Sequence, residues 1–152
     1  MPVTAEVLRG NELFTGLGSE ELERMSRLIF TRGYKAGRAL FYEDTPGEVM
    51  YLVQSGAVGI FKTGPDKQEL HLATVGPGSF FGEMALLDDK PRSATAKIVE
   101  DAELVVITKK AFEQMLETDP GITSKILIAM LKAVFHRLRA TDDKFKDLVS
   151  RG

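Results

Sequence analysis

The sequence contains no cysteine, and this one absence removes several chemistries together. Disulfides, thiolate nucleophiles, iron–sulfur clusters and most structural zinc sites are all excluded. Histidine is almost as scarce: His71 and His136 are the only two, and they lie far apart in the chain. A metal-dependent barrel enzyme needs several histidines converging on one site. Only His71 falls in the strand-rich part, where a lone histidine is ordinarily structural, so neither an enzyme nor a metal site is expected. Charge of one sign is missing too. The formal net charge is −2, which offers no global attraction to nucleic acid or to an anionic membrane. The longest apolar run, residues 126–131, is far short of a membrane span. The first ten residues, MPVTAEVLRG, lack the layout of a signal peptide. A cytoplasmic protein is expected, with neither DNA nor membrane as partner.

What is present fits one domain. There are 152 residues, 43% of them apolar and 28% charged, ordinary values for a globular chain with a real core. Periodicity divides the chain into three regions, expected at 1–27, 28–108 and 109–150. The first is helical, with Ser19 as N-cap, Glu20 and Glu21 in the first turn, and Leu22 and Met25 on one side. In the second the period becomes two. Segments 49–54, 57–62, 70–75, 94–99 and 104–108 read as short strands. Gly33, Gly37, Pro46-Gly47, Ser55-Gly56, Gly64-Pro65 and Gly76-Pro77-Gly78 punctuate them, a pattern of sandwich, roll or barrel.

The third region returns to helix. A short helix is predicted over 109–117. Asp119-Pro120 then supplies an N-cap followed by proline at the first helical position. No proline or glycine interrupts from Ile122 to about Val149, so this helix extends roughly 45 Å. It carries two stripes. Ile122, Ile126, Ala129 and Ala133 suit packing on the strand region. Leu127, Leu131, Val134, Leu138, Thr141, Phe145 and Leu148 are spaced 4-3-4-3-4-3, a coiled-coil seam with one polar interruption. A parallel homodimer through this helix is expected; the other reading is an amphipathic helix lying on its own domain.

The chemistry concentrates in residues 78–96, GSFFGEMALLDDKPRSATA. A short helix is predicted over 82–87. The amides of Met84 and Ala85 at its start would suit an anion, and Gly82 lets a ligand approach the backbone. Ten residues on, Arg92 offers a planar fork for a phosphate, with the Ser93 hydroxyl beside it. Glu83 would repel that phosphate unless it accepts hydrogen bonds from a neighbouring sugar hydroxyl. Phosphate and ribose side by side describe a nucleotide. Taken one at a time, the same residues read as a salt bridge or a helix cap.

The stretch FGEMALLDDKPRSATA resembles the phosphate-binding cassette of the cyclic-nucleotide-binding domain family, whose members include catabolite activator proteins, regulatory subunits of cAMP-dependent protein kinase and gated channels. Phe81, Gly82, Glu83, Met84, Ala85, Leu86, Arg92, Ser93, Ala94 and Thr95 fit its pattern, Phe-Gly-Glu through Arg-Ser-Ala-Thr, over 81–95. The likeness extends to Leu13-Phe14 and Leu17, to Lys35-Ala36-Gly37, Glu43-Asp44, 50–53 and Gly56, and to 137–144, RLRATDDK. It implies an α+β fold: an antiparallel β-roll with an N-terminal helical segment and a long C-terminal helix.

The resemblance also implies roles. Glu83 and the Gly82 backbone would bind the ribose 2′-hydroxyl, and Arg92 would neutralise the cyclic phosphate. Ser93, with amides near Ala85 and Ala94, would complete the cage. Leu72 would lie against the purine, and Thr141 would approach the base from the long helix. Serine after the arginine leans towards cAMP, with cGMP still admitted. No other cofactor is implied. Bacterial relatives carry a DNA-reading winged helix-turn-helix after the long helix, and this sequence contains none. A sensor acting on an unknown effector protein is therefore expected, with a ligand-free or differently liganded scaffold as the alternative.

Overall fold

The computed structural model describes residues 3–151; Met1, Pro2 and Gly152, included in the expected domain 1–152, lie outside the described residues. Helix α1 (Ala5–Arg9), a 3-10 turn (Glu12–Phe14) and α2 (Ser19–Ser26) precede six strands. These are β1 (Phe30–Tyr34), β2 (Ala39–Phe41), β3 (Val49–Thr63), β4 (Glu69–Val75), β5 (Phe80–Phe81) and β6 (Thr95–Thr108). A single helical turn, α3 (Met84–Leu87), separates β5 from β6, and α4 (Lys109–Thr118) and α5 (Pro120–Arg151) follow. All strand pairs are antiparallel, in the order β1-β6-β3-β4, with β2 added to β6 and β5 to β3. The fold is the β-roll with terminal helices that the sequence implied.

The central strands are buried on both faces, so they read as nearly continuous apolar runs. Met50, Leu52, Val105 and Ile107 point into a core shared with the helices, where Leu8, Phe14, Leu22, Met25, Phe112, Ile122 and Ile126 meet them. Their immediate neighbours Tyr51, Val53, Leu104 and Val106 point the other way, into the interior of the roll. Two-residue β5 does the same in miniature: Phe80 enters the helical core and Phe81 the roll. The backbone at Gly82 and Glu83 is thereby fixed between two cores.

Two strand breaks read from the sequence are bends. Segments 49–54 and 57–62 form one 15-residue strand, and 94–99 and 104–108 form one strand of 14. Ser55-Gly56 sits at register shifts between β3 and β6. Gly56 has φ +82°, and a Cβ there would overlap the Asp101 carbonyl, so glycine permits a bulge that curls the strand instead of ending it.

The helix starts differ in one detail. Ser19 lies inside α2; the flanking residue is Gly18, whose N–H donates to Glu21 Oε1 at 3.0 Å. At α5 the Asp119 side chain accepts from the Ile122 amide at 3.3 Å, as the Asp-Pro pair predicts. Among the described residues, no helix is long and apolar enough to cross a membrane.

The predicted seam on α5 is exposed along most of its length. Leu127 and Val134 are half-buried, and Leu127 packs on the helical core. Leu131, Leu138, Phe145 and Leu148 of the same seam are each more than half exposed, as are Ile128, Phe135 and Val149 beside it. The domain claims the flank carrying Ile122, Ile126 and Met130, which turns Leu127 inward.

Candidate functional site: a cationic cavity in the roll

A cavity of about 220 Å³ opens between β3, β4, the 81–94 segment and α5, far more room than the ~15 Å³ a water needs. Phe41, Ile60, Ala73, Val75 and Phe81 give it an apolar side. Gly82, Glu83, Met84, Ala85, Lys90, Arg92, Ser93, Ala94 and Arg137 form the other. Three cations thus face one carboxylate.

Arg92 is the buried member of this set, 8% exposed. Its Nη2 donates to the Val49 carbonyl at 2.7 Å, and Nη1 is 3.4 Å from the Gly82 carbonyl. The guanidinium lies 3.9 Å over the Phe41 ring. Burial pushes its pKa below the ordinary value, partly offset by Tyr51, yet a guanidinium remains charged at neutral pH. Among the described residues Nε has no hydrogen-bond partner. That atom packs against Gly47, while the buried charge itself is costly to maintain and suits a group that meets an anion. Backbone hydrogen bonds tie the arginine to the 42–48 loop: Arg92 N–H donates to Thr45 O, and Asp44 N–H to Arg92 O, both at 2.8 Å.

Gly82 adopts φ +79°, and a Cβ there would lie 3.0 Å from Arg92 Nη1 and 3.3 Å from the Val49 carbonyl. Only glycine fits both the backbone and the space. Beside it the half-buried Glu83 carboxylate stands 3.4 Å from Arg137 Nη1. Arg137 reaches in from α5, donating also to the Phe80 carbonyl at 2.7 Å and stacking 4.6 Å over the Phe80 ring.

The structure thus brings Gly82, Glu83, Met84, Ala85, Arg92, Ser93 and Ala94 to one cavity. Two of the expected site residues, Leu72 and Thr141, do not line it. Leu72 is 52% exposed and does not line the cavity; strand alternation turns Ala73 and Val75 inward instead. Thr141 is exposed one helical turn beyond Arg137, and its hydroxyl donates to the Arg137 carbonyl at 3.0 Å. Nor is the Ala85 amide open to an anion here: it donates to the Gly82 carbonyl at 3.2 Å, because α3 is a single tight turn.

Lys90, Ile60, Ala73, Val75 and Arg137 were not singled out from sequence. The period of two in β4 could have chosen Ala73 over Leu72. Nothing local marks Arg137, because its position depends on where α5 crosses the roll.

Residues 31–119 match the cyclic nucleotide-binding domain family. The cyclic AMP receptor protein of Thermus thermophilus is 36% identical over 135 residues, 89% of this chain and 61% of the relative. A cyclic nucleotide-binding domain from Methylobacillus flagellatus superposes with a TM-score of 0.83 at 28% identity, over 92% of this chain and 79% of that one. The regulatory domain of Toxoplasma gondii PKA, crystallised with cAMP, gives a TM-score of 0.65 at 33% identity, over 72% and 42% respectively. The chain spans 61–62% of the length of the first curated relatives it matches. With its matched segment covering the roll and the cassette, the chain belongs to the cyclic nucleotide-binding domain family.

Proposed function

We propose that this chain is a cyclic-nucleotide sensor, with cAMP as its ligand, working as one unit that binds without transforming what it binds. The observation that carries the reading is the convergence on one cavity of a buried guanidinium, Arg92, and a carboxylate, Glu83, beside Gly82. Arg92 meets the cyclic phosphate, with Ser93 and Ala94 beside it. Glu83 accepts from the ribose 2′-hydroxyl, and the base lies along Ile60, Ala73 and Val75. Serine at position 93 and the relatives' names, a cyclic AMP receptor and a kinase regulatory domain crystallised with cAMP, support cAMP over cGMP.

Output runs through α5. Arg137 joins that helix to Glu83, so a ligand that engages Glu83 favours the helix positions compatible with both contacts. The exposed seam then carries the change to a second copy in a parallel homodimer, and from there to an effector protein in the cytoplasm. The alternative is a ligand-free scaffold; what favours it is that Arg92 and Glu83 both already hold protein partners.

Displacement of a fluorescent cyclic nucleotide by cAMP, cGMP and linear AMP tests the ligand, with cAMP expected to compete best and AMP least. Hydrogen exchange along α5 tests the output. Protection that is identical with and without cAMP would overturn it.

A further inference from the structure

Arg137 does not serve Glu83 alone. Its Nη2 is 3.4 Å from the Glu12 carboxylate on the 3-10 turn, the same distance that separates Nη1 from Glu83. One guanidinium therefore stands between two carboxylates, one inside the ligand cavity and one outside it. Glu12 is held in place for this. Its N–H donates to the Gly78 carbonyl at 2.9 Å, and the Ser79 hydroxyl donates to its Oε1 at 3.2 Å. Buried Asn11 fixes the same segment through Nδ2, 3.0 Å from the Ser79 carbonyl. Ser79 is only four residues from Glu83, and the intervening Phe80 offers Arg137 both its carbonyl and its ring.

We propose that Glu12 is a positioning residue of the cavity: by sharing Arg137, it sets how freely Glu83 accepts a sugar hydroxyl, and so makes the N-terminal turn part of the binding site. The proposal rests on the reading of Glu83 given above. With both carboxylates charged, the Phe80 carbonyl and Glu12 hold Arg137 at the rim and Glu83 takes only part of it. With Glu12 neutral, Glu83 is the sole carboxylate within reach. Arg137 closes on it, and a ribose hydroxyl must compete with a stronger partner. Arg137 and Glu12 are both partly exposed, so the effect is modest.

The test is calorimetric titration of the full chain with cAMP, for wild type, Glu12→Gln, Arg137→Ala and the double variant. Glu12→Gln is expected to raise Kd about two- to five-fold. In the Arg137→Ala background the same change is expected to do nothing, which a merely structural role for Glu12 would not produce. Ser79→Ala, which frees Glu12, is expected to act in the same direction more weakly. Wild-type affinity in Glu12→Gln, or an equal penalty in both backgrounds, overturns the proposal and leaves the ligand reading standing. Wild-type protein that binds no cyclic nucleotide overturns both.

Discussion

Gly47 and Arg92 share one volume. A Cβ on Gly47 would overlap the Arg92 Nε and lie 2.8 Å from its Cδ, so the arginine can occupy its seat over Phe41 only because position 47 has no side chain. The 42–48 loop thus shapes the site from behind, although it supplies no group to the cavity wall except through Arg92.

Gly47→Ala is expected to cost about 1–3 kcal/mol of stability through overpacking, and to weaken cyclic-nucleotide binding by displacing Arg92. Urea denaturation and nucleotide titration measure the two effects. In an Arg92→Ala background the alanine at 47 meets open space, and the stability cost is expected to vanish. A cost that persists there would place the clash elsewhere.

Strand alternation in β4 gives a paired prediction. Ala73 lines the cavity and Leu72 faces away from it. Ala73→Asp sets a carboxylate against the base and is expected to weaken binding at least ten-fold, about 1.4 kcal/mol. Leu72→Asp is expected to leave Kd within about two-fold of wild type, since it changes an exposed surface position. The reverse outcome in titrations of the two variants would mean that the ligand lies against the other face of the hairpin.

The α5 seam predicts self-association. Leu131, Leu138, Phe145 and Leu148 of the predicted seam are all more than half exposed. Sedimentation of wild-type protein is expected to show a dimer. Leu131→Asp with Leu138→Asp is expected to give a monomer whose circular dichroism is unchanged, because both residues are more than half exposed. A wild-type monomer at all concentrations would contradict this use of the seam.

Acid should loosen the roll at Asp101. Its Oδ1 accepts the Ala36 amide at 2.8 Å, and this hydrogen bond, with Lys35 nearby, holds its pKa below the ordinary aspartate value. The carboxylate therefore stabilises the fold fully above the unfolded pKa of about 3.9, and that contribution is lost as pH falls through the lower folded value. Asp101→Asn keeps an acceptor oxygen and removes the charge. Urea unfolding is expected to find it less stable than wild type at pH 7, with the difference closing as pH falls below the unfolded value of about 3.9.

Sequence reasoning went furthest where a rule is local. Glycine at 82 and Asp119-Pro120 each act through immediate neighbours, and the structure places them accordingly. It failed where a local signal has two outcomes. Ser55-Gly56 reads equally as a turn or a bulge, and only the pairing of β3 with β6 decides. Leu72 follows from the family resemblance alone, whereas Ala73 and Val75 line the cavity. The Glu12–Arg137–Glu83 array joins residues from both ends of the chain, and no spacing within the sequence anticipates it.

The most direct test of the ligand reading is isothermal titration of folded, nucleotide-free protein with cAMP, wild type beside Arg92→Ala. Micromolar or tighter binding is predicted for the wild type, weakened at least about 30-fold in the variant, as expected when one partner of a buried charge contact is removed. No heat of binding from wild-type protein, or equal affinity in the two, would contradict the assignment of this cavity to a cyclic nucleotide.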